Sequence, residues 1–94
     1  MELSHKSVGF EWSAPHSDGG APVTNYVIER RHASHGRFTQ LVRAPVRDTY
    51  FRDTTVREGM TYEYRIAAEN LAGVGPFSIA TEPILVQDPI GKNL

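Results

Sequence analysis

The chain has 94 residues, a net charge of −1, and apolar and charged fractions of 39% and 22% that are ordinary for a globular protein. This length allows one domain with a single apolar core. The chain has no cysteine, which excludes disulfides and thiol chemistry and favours a reducing compartment. No apolar run approaches the length of a membrane span, so we expect no membrane insertion.

Six stretches have the character of β-strands, and turn residues separate them. The first, Ser7–Trp12, alternates apolar and small or charged residues and is followed by a loop rich in proline and glycine. The last predicted strand, Ser78–Val86, should lie at a sheet edge, because its Pro83 has no N–H to donate to a sheet ladder. The remaining predicted strands, in chain order, are Val23–Arg31, Arg37–Arg43, Thr49–Thr54, Met60–Asn70 and Ser78–Val86.

The strand Met60–Asn70 has the clearest alternation. Its period of two predicts that one face is buried and the other lies in water. The inward side chains should be Tyr62, Tyr64, Ile66 and Ala68, and the outward ones Glu63, Arg65 and Glu69.

Six or seven short strands in about 90 residues, without an amphipathic helical pattern, predict an all-β fold. We expect an immunoglobulin-like, two-sheet antiparallel sandwich over residues 1–87, and a linker or tail over 88–94. The lone tryptophan should be buried and structural. The side chains predicted to be structural are Trp12, Tyr26, Val56, Tyr62 and Ile66.

Arginine is concentrated in the middle of the chain. All eight arginines lie between Arg30 and Arg65, where four carboxylates leave a net charge of +4, and both ends are acidic. This pattern could steer association with an acidic protein, although alternating charges more often only solvate strand faces. The first candidates for partner contacts are Arg30, Arg31, Arg37, Arg43 and Arg65.

The order of several motifs resembles that of a fibronectin type III domain. The first half carries Ser7-Val8-Gly9-Phe10-Glu11-Trp12, Pro15, Asp18-Gly19-Gly20 and Val23–Arg31; the second carries Val56, Gly59, Tyr62, Ala68-Glu69-Asn70 and Gly73–Ser78. The resemblance implies that Tyr62 is the tyrosine-corner residue, whose hydroxyl bonds to nearby backbone. It also implies that Val56 packs beneath that ring.

The same motifs are similar to those of the intracellular muscle group, which includes titin, myosin-binding protein C and twitchin. The chain departs from the group at Phe38, where tryptophan is common, and at Asp53, where an apolar strand residue is usual. The amino-terminal strand is also expected to be short, either truncated or irregular, with Leu3 as its core contact. A partly missing strand would leave backbone groups of its neighbour unpaired.

No motif predicts catalysis, a cofactor or a metal. His32 and His35 are a close pair, but zinc needs three or four converging ligands. Neither Asp18-Gly19-Gly20 nor Gly73–Gly75 has the length of a phosphate loop, and turns explain both. The few aromatic residues are mostly assigned to the core, which leaves little for nucleic-acid stacking.

The leading hypothesis is a non-catalytic structural and protein-interaction module of a multidomain cytoskeletal or sarcomeric protein. Its partners would be other proteins, including thick-filament proteins, and neighbouring immunoglobulin-like or fibronectin type III domains. The cytoplasm is then the expected compartment, consistent with the absence of an Asn-X-Ser/Thr site. Two alternatives stay open: a module of a cell-surface receptor or adhesion ectodomain, and a spacer within a large muscle-type kinase.

Overall fold

The computed structural model describes residues 2–3, 7–15, 21–33 and 36–87. The predicted tail, 88–94, lies outside this range, as do Asp18-Gly19-Gly20, His35 and the side chain of Leu3. The described strands are β1 (Glu2–Leu3), β2 (Val8–Glu11), β3 (Asn25–His32), β4 (Thr39–Gln40), β5 (Tyr50–Asp53), β6 (Thr61–Asn70), β7 (Gly73–Val74) and β8 (Ile84–Leu85).

The strands form two antiparallel sheets. The smaller sheet has the order β1-β2-β5, and the larger has the order β4-β3-β6-β7, with β8 also paired to β6. The longest pairing joins β3 to β6 and extends from Asn25 opposite Glu69 to His32 opposite Tyr62. The predicted all-β, two-sheet antiparallel sandwich is confirmed.

Inward side chains of both sheets form the core. β2 contributes Val8 and Phe10, and β3 contributes Ile28, all at most 4% exposed. From β6, Tyr62 and Tyr64 are buried, while Ile66 is half-buried against the same cluster. Each residue projects inward because successive strand side chains point to opposite faces, as the alternation in Met60–Asn70 predicted.

The prediction of one continuous strand over Ser78–Val86 is wrong. Only Ile84–Leu85 of Ser78–Val86 is strand, because Pro83 has no N–H to donate. The preceding residues nevertheless follow β6: the Ser78 and Thr81 amides donate to the Ile66 and Tyr64 carbonyls at 2.8 Å each. In return, the Ile66 and Tyr64 amides donate to the Ser78 and Thr81 hydroxyls at 3.1 Å. Side-chain oxygens thus replace backbone carbonyls at this edge.

The predicted strand Arg37–Arg43 is also too long, since β4 contains only Thr39 and Gln40. The chain still continues along β3 beyond β4, where the Leu41 amide donates to the Ile28 carbonyl and the Tyr26 amide donates to the Val46 carbonyl, both at 2.8 Å. It then crosses to β2, since the Trp12 amide donates to the Thr49 carbonyl at 3.0 Å. The segment before β5 therefore connects the edges of the two sheets.

Candidate protein-interaction surfaces

Two arginines and two phenylalanines stack on the outer face of the larger sheet. The Arg65 guanidinium carbon lies 4.3 Å from the ring centroids of both Phe38 and Phe77. The Arg31 guanidinium carbon lies 4.6 Å from the Phe38 centroid. Each contact has the geometry of a cation–π interaction. We call Arg31, Phe38, Arg65 and Phe77 the arginine–phenylalanine stack.

Carboxylates opposite the two stacked arginines complete their contacts. Glu29 is the cross-strand neighbour of Arg65, and the Arg65 Nη2 and Nε atoms donate to Glu29 Oε1 at 2.6 and 2.8 Å. Glu63 is the cross-strand neighbour of Arg31, and Arg31 Nε donates to Glu63 Oε1 at 2.7 Å. Both arginines are thus engaged within the domain, so they are poor candidates for partner contacts.

Arg65→Ala should lower the free energy of unfolding by about 1–2 kcal/mol, because it removes an ion pair and two ring contacts. Arg43→Ala is the matched control, since Arg43 is exposed and should change stability by less than about 0.5 kcal/mol. Urea unfolding measures both values. Equal losses in the two variants would show that the stack contributes no stability.

Asp53 lies on the core side of β5, and its side chain is only 1% exposed. Its Oδ2 atom accepts a bond from the Tyr64 hydroxyl at 2.7 Å and another from Arg30 Nη1 at 2.8 Å. Its Oδ1 atom accepts bonds from the Thr55 hydroxyl at 2.7 Å and the Thr55 amide at 3.0 Å. These four bonds account for a buried carboxylate at a position where apolar residues are usual.

The hydrogen bonds set the ionisation of this cluster. Burial alone raises the pKa of Asp53, but the combined bonds from Thr55, Tyr64 and Arg30 outweigh it and hold that pKa below its ordinary value of 3.8. Burial, followed by its bond to Asp53, raises the pKa of Tyr64 well above its ordinary value. Asp53 is therefore ionised and Tyr64 neutral at pH 7.

Arg30, a predicted partner contact, points toward this cluster. Besides Asp53, its Nη1 atom donates to the Thr55 hydroxyl at 2.8 Å, and its guanidinium carbon lies 4.7 Å from the Tyr62 ring centroid. The Arg30–Asp53 pair joins the two sheets, since Arg30 belongs to β3 and Asp53 to β5. The geometry favours a structural role for Arg30.

Arg37 and Arg43 are the predicted partner-contact residues that remain available. Both are exposed, and neither forms an ion pair with any residue in the described ranges. The structure adds Arg47 and Arg57, which are likewise exposed and without an ion pair among these residues. Sequence reasoning passed over Arg47 because it lies outside every predicted strand, although its position next to Pro45 and Val46 marks it as a connecting residue.

The tyrosine corner forms as the resemblance implied. The Tyr62 hydroxyl accepts a hydrogen bond from the Arg57 amide at 3.1 Å. Val56 is buried in the same core cluster as Tyr62. Gly59 allows the intervening turn, because its φ of 89° lies in the left-handed region. The corner thus holds the segment before β6 against the start of that strand.

Tyr62→Phe keeps the ring but leaves the Arg57 amide without its acceptor. We expect a loss of about 1 kcal/mol in the free energy of unfolding. Chemical denaturation gives the value, and hydrogen exchange should quicken at the Arg57 amide. An unchanged exchange rate at that amide would contradict the role given to the hydroxyl.

Trp12 is half-buried, not fully buried as predicted. Its ring centroid lies 5.9 Å from that of Phe10 and 5.3 Å from that of Tyr26. Its indole Nε1 is buried and has no hydrogen-bond acceptor among the described residues. Tyr26 itself is 5% exposed. One face of Trp12 therefore packs on the core while the rest of the ring lines an open cleft.

This cleft, of about 590 Å³, lies beside the turn that joins β6 to β7. Its described lining is mainly apolar and includes Trp12, Pro15, Val74 and Phe77. Glu69 is the sole carboxylate among these lining residues, and it accepts a bond from Asn25 Nδ2 at 2.9 Å. One occupied carboxylate without an acid or base partner gives no basis for acid–base catalysis.

The described residues form neither a metal cluster nor a membrane-spanning helix. They contain no group of three or more histidine, cysteine, aspartate or glutamate side chains placed to hold a metal ion. Over the same ranges, the structure has no helix long and apolar enough to cross a membrane.

The chain belongs to the fibronectin type III family, whose pattern it matches over residues 1–84. Among solved structures, it resembles the twitchin kinase region from C. elegans, with a TM-score of 0.87 and 36% identity over 97% of this chain and 16% of the other. It also resembles a multidomain titin crystal structure, with a TM-score of 0.85 and 28% identity over 94% of this chain and 30% of that one.

The chain is also similar in sequence to known muscle proteins. The chain is 38% identical to fast-type myosin-binding protein C of Gallus gallus over 81 residues, which is 86% of the chain and 7% of the relative. It is 30% identical to the striated-muscle M-protein of Gallus gallus over 92 residues, or 98% of the chain and 6% of the relative. The chain therefore spans less than a tenth of the length of these relatives.

Proposed function

We propose that this domain is a non-catalytic structural and protein-interaction module of a multidomain sarcomeric protein in the cytoplasm. The observation that carries the proposal is the similarity of most of the chain to myosin-binding protein C and the M-protein of striated muscle. Its partners would be thick-filament or other cytoskeletal proteins, together with adjoining immunoglobulin-like or fibronectin type III domains.

The distribution of side-chain contacts supports this role. The aromatic core, the arginine–phenylalanine stack and the Asp53 cluster all connect strands of the domain to each other. The exposed arginines that form no ion pair within the described ranges leave charge available for another protein; they are Arg37, Arg43, Arg47 and Arg57. We infer that stability and recognition are assigned to different sets of residues.

A fluorescent fusion of the 94-residue chain, expressed in striated muscle cells, tests the proposal. We expect a periodic pattern in register with the thick filaments that persists after detergent extraction. The fluorescent tag alone is the control and should be extracted. A diffuse, extractable distribution of the fusion would overturn the sarcomeric assignment.

A second candidate is a spacer within a large muscle-type kinase. It is favoured by the 36% identity to the twitchin kinase region and by a likeness to a structure of titin kinase with its flanking domains, at 29% identity and a TM-score of 0.82. The sequence of the full-length parent distinguishes the candidates, because a spacer requires a kinase domain nearby in the same chain. The ectodomain alternative has support from the fold alone, as in the 22% identity to contactin domains of chicken.

A further inference from the structure

One lateral side of the sandwich is formed by residues 36–53, which we call the β4–β5 side. Its first part follows β3 through the Leu41 and Val46 hydrogen bonds, and its last part, β5, pairs with β2. β4 ends the larger sheet and β5 ends the smaller one. Two sheet edges are therefore open along this side, with no described strand beyond either.

The charge on this side is strongly unbalanced. Its four arginines are Arg37, Arg43, Arg47 and Arg52. Its two carboxylates are Asp48, which is exposed, and Asp53, which is buried and paired with Arg30. Asp53 thus neutralises a residue outside this side and leaves one exposed carboxylate for four arginines. The surface is electropositive although the whole chain has a net charge of −1.

Three of these arginines are available to a partner. Arg37, Arg43 and Arg47 are exposed and form no ion pair within the described part of the chain. Arg52 already donates to the Ser7 hydroxyl at 2.8 Å. Arg31 and Arg65 are paired on the neighbouring sheet face. Of the exposed arginines without an ion pair in the described ranges, Arg37, Arg43 and Arg47 lie along the open edges, and Arg57 follows the end of β5.

The backbone of the β4 edge is open to an extended partner at Gln40. Hydrogen bonds alternate in direction along an antiparallel strand. Because the Leu41 amide faces β3, the Gln40 backbone faces away from the sheet. An extended chain can add to such an edge through main-chain bonds while its side chains meet flanking groups.

We propose that the β4–β5 side binds an acidic protein segment in an extended conformation, whose carboxylates pair with Arg37, Arg43 and Arg47. This proposal rests on the proposed function as a protein-interaction module and names the surface and the chemistry of the partner. A second copy of this chain would bring like charges together at the same edge. Nucleic acid is disfavoured because Tyr50 is the one exposed residue among the phenylalanines, tyrosines and tryptophan, all of which are described.

The test is a fluorescence anisotropy titration with a labelled peptide of alternating glutamate and threonine. We expect saturable binding that weakens as salt is added, because exposed charges are screened. Replacing Arg37, Arg43 and Arg47 by glutamine should weaken binding by ~10-fold at low salt. Amide NMR shifts in the wild-type complex should be largest along residues 39–43 and 50–53.

A matched control distinguishes binding at this surface from an effect of net charge alone. The glutamine variant loses three positive charges and has a net charge of −4. Replacing Leu71, Val74 and Ile79 by glutamate gives the same net charge at positions 50–94% exposed around β7, at the far edge of the larger sheet. We expect this control to bind the peptide within about twofold of wild type at the same salt concentration.

Three results would overturn the proposal. Equal weakening in the two variants would mean that only net charge matters. Tighter binding of a single-stranded oligonucleotide at the same residues would assign the surface to nucleic acid. If the peptide does not bind saturably but the fluorescent fusion still shows a periodic pattern in muscle cells, the β4–β5 side is not the binding surface. The proposed function then still holds.

Discussion

Replacing Asp53 with alanine is expected to lower the free energy of unfolding by about 3 kcal/mol, because it leaves the Arg30 guanidinium without its buried partner. The Tyr64 hydroxyl also loses its acceptor in the core. A domain of this size has a total stability of about 5–14 kcal/mol, so this loss is large. Urea unfolding followed by tryptophan fluorescence measures it, provided that the variant still folds.

Tyr64→Phe is the milder companion, since it removes one bond to Asp53 and keeps the ion pair with Arg30. We expect it to cost about 1–2 kcal/mol. A double-mutant cycle with Asp53→Ala then isolates the energy of the Tyr64–Asp53 bond. A coupling energy near zero would contradict the cluster as described.

The pH dependence of stability provides a separate test of the same cluster. The folded state lowers the pKa of Asp53, so folding favours the ionised form. The resulting stability is fully present above the unfolded pKa, about 3.9, and is lost as the pH falls through the lower folded value. In Asp53→Asn, the slope of stability against pH below about pH 4 should be shallower than in wild type. An unchanged slope would show that other carboxylates account for the acid sensitivity.

Replacing Trp12 with alanine is expected to cost about 3 kcal/mol, near the lower end for a large aromatic residue because Trp12 is half-buried. The contacts with Phe10 and Tyr26 are lost, and the cleft extends toward the core. Trp12 is the single tryptophan of the chain, so unfolding must be followed by circular dichroism.

Trp12→Phe is the control for ring packing. The indole N–H has no acceptor among the described residues, so its removal breaks no described hydrogen bond. We expect a loss of about 1.5 kcal/mol from the smaller ring alone. If the phenylalanine variant were as unstable as the alanine variant, the indole N–H would have a bonding role that the structure does not show.

The core could be predicted largely from alternation and spacing. Tyr62 and Tyr64 are two positions apart in a β-favouring run, and a period of two is sufficient to place them on one face. The tyrosine corner could be recognised because Val56, Gly59 and Tyr62 lie close together in the chain. Local spacing was informative where the interaction itself was local.

The pairing of the arginines could not be predicted in the same way. Arg65 bonds to Glu29, 36 residues earlier, and Arg30 bonds to Asp53, 23 residues later. Both contacts depend on the register between strands and on how the two sheets face each other. Composition alone makes Arg30, Arg65 and Arg43 equivalent, although two of them are committed to the fold.

The edge at residues 75–83 bears on how similar domains share one polypeptide. Tethering holds neighbouring modules at high effective concentration, and an unpaired strand edge can template wrong pairing between them during folding. Here Pro76 and Pro83 offer no amide, and the Ser78 and Thr81 amides and hydroxyls are already turned toward β6. In a polypeptide with several such domains, an edge that lacks two donors is a poorer template for wrong pairing than an edge without proline.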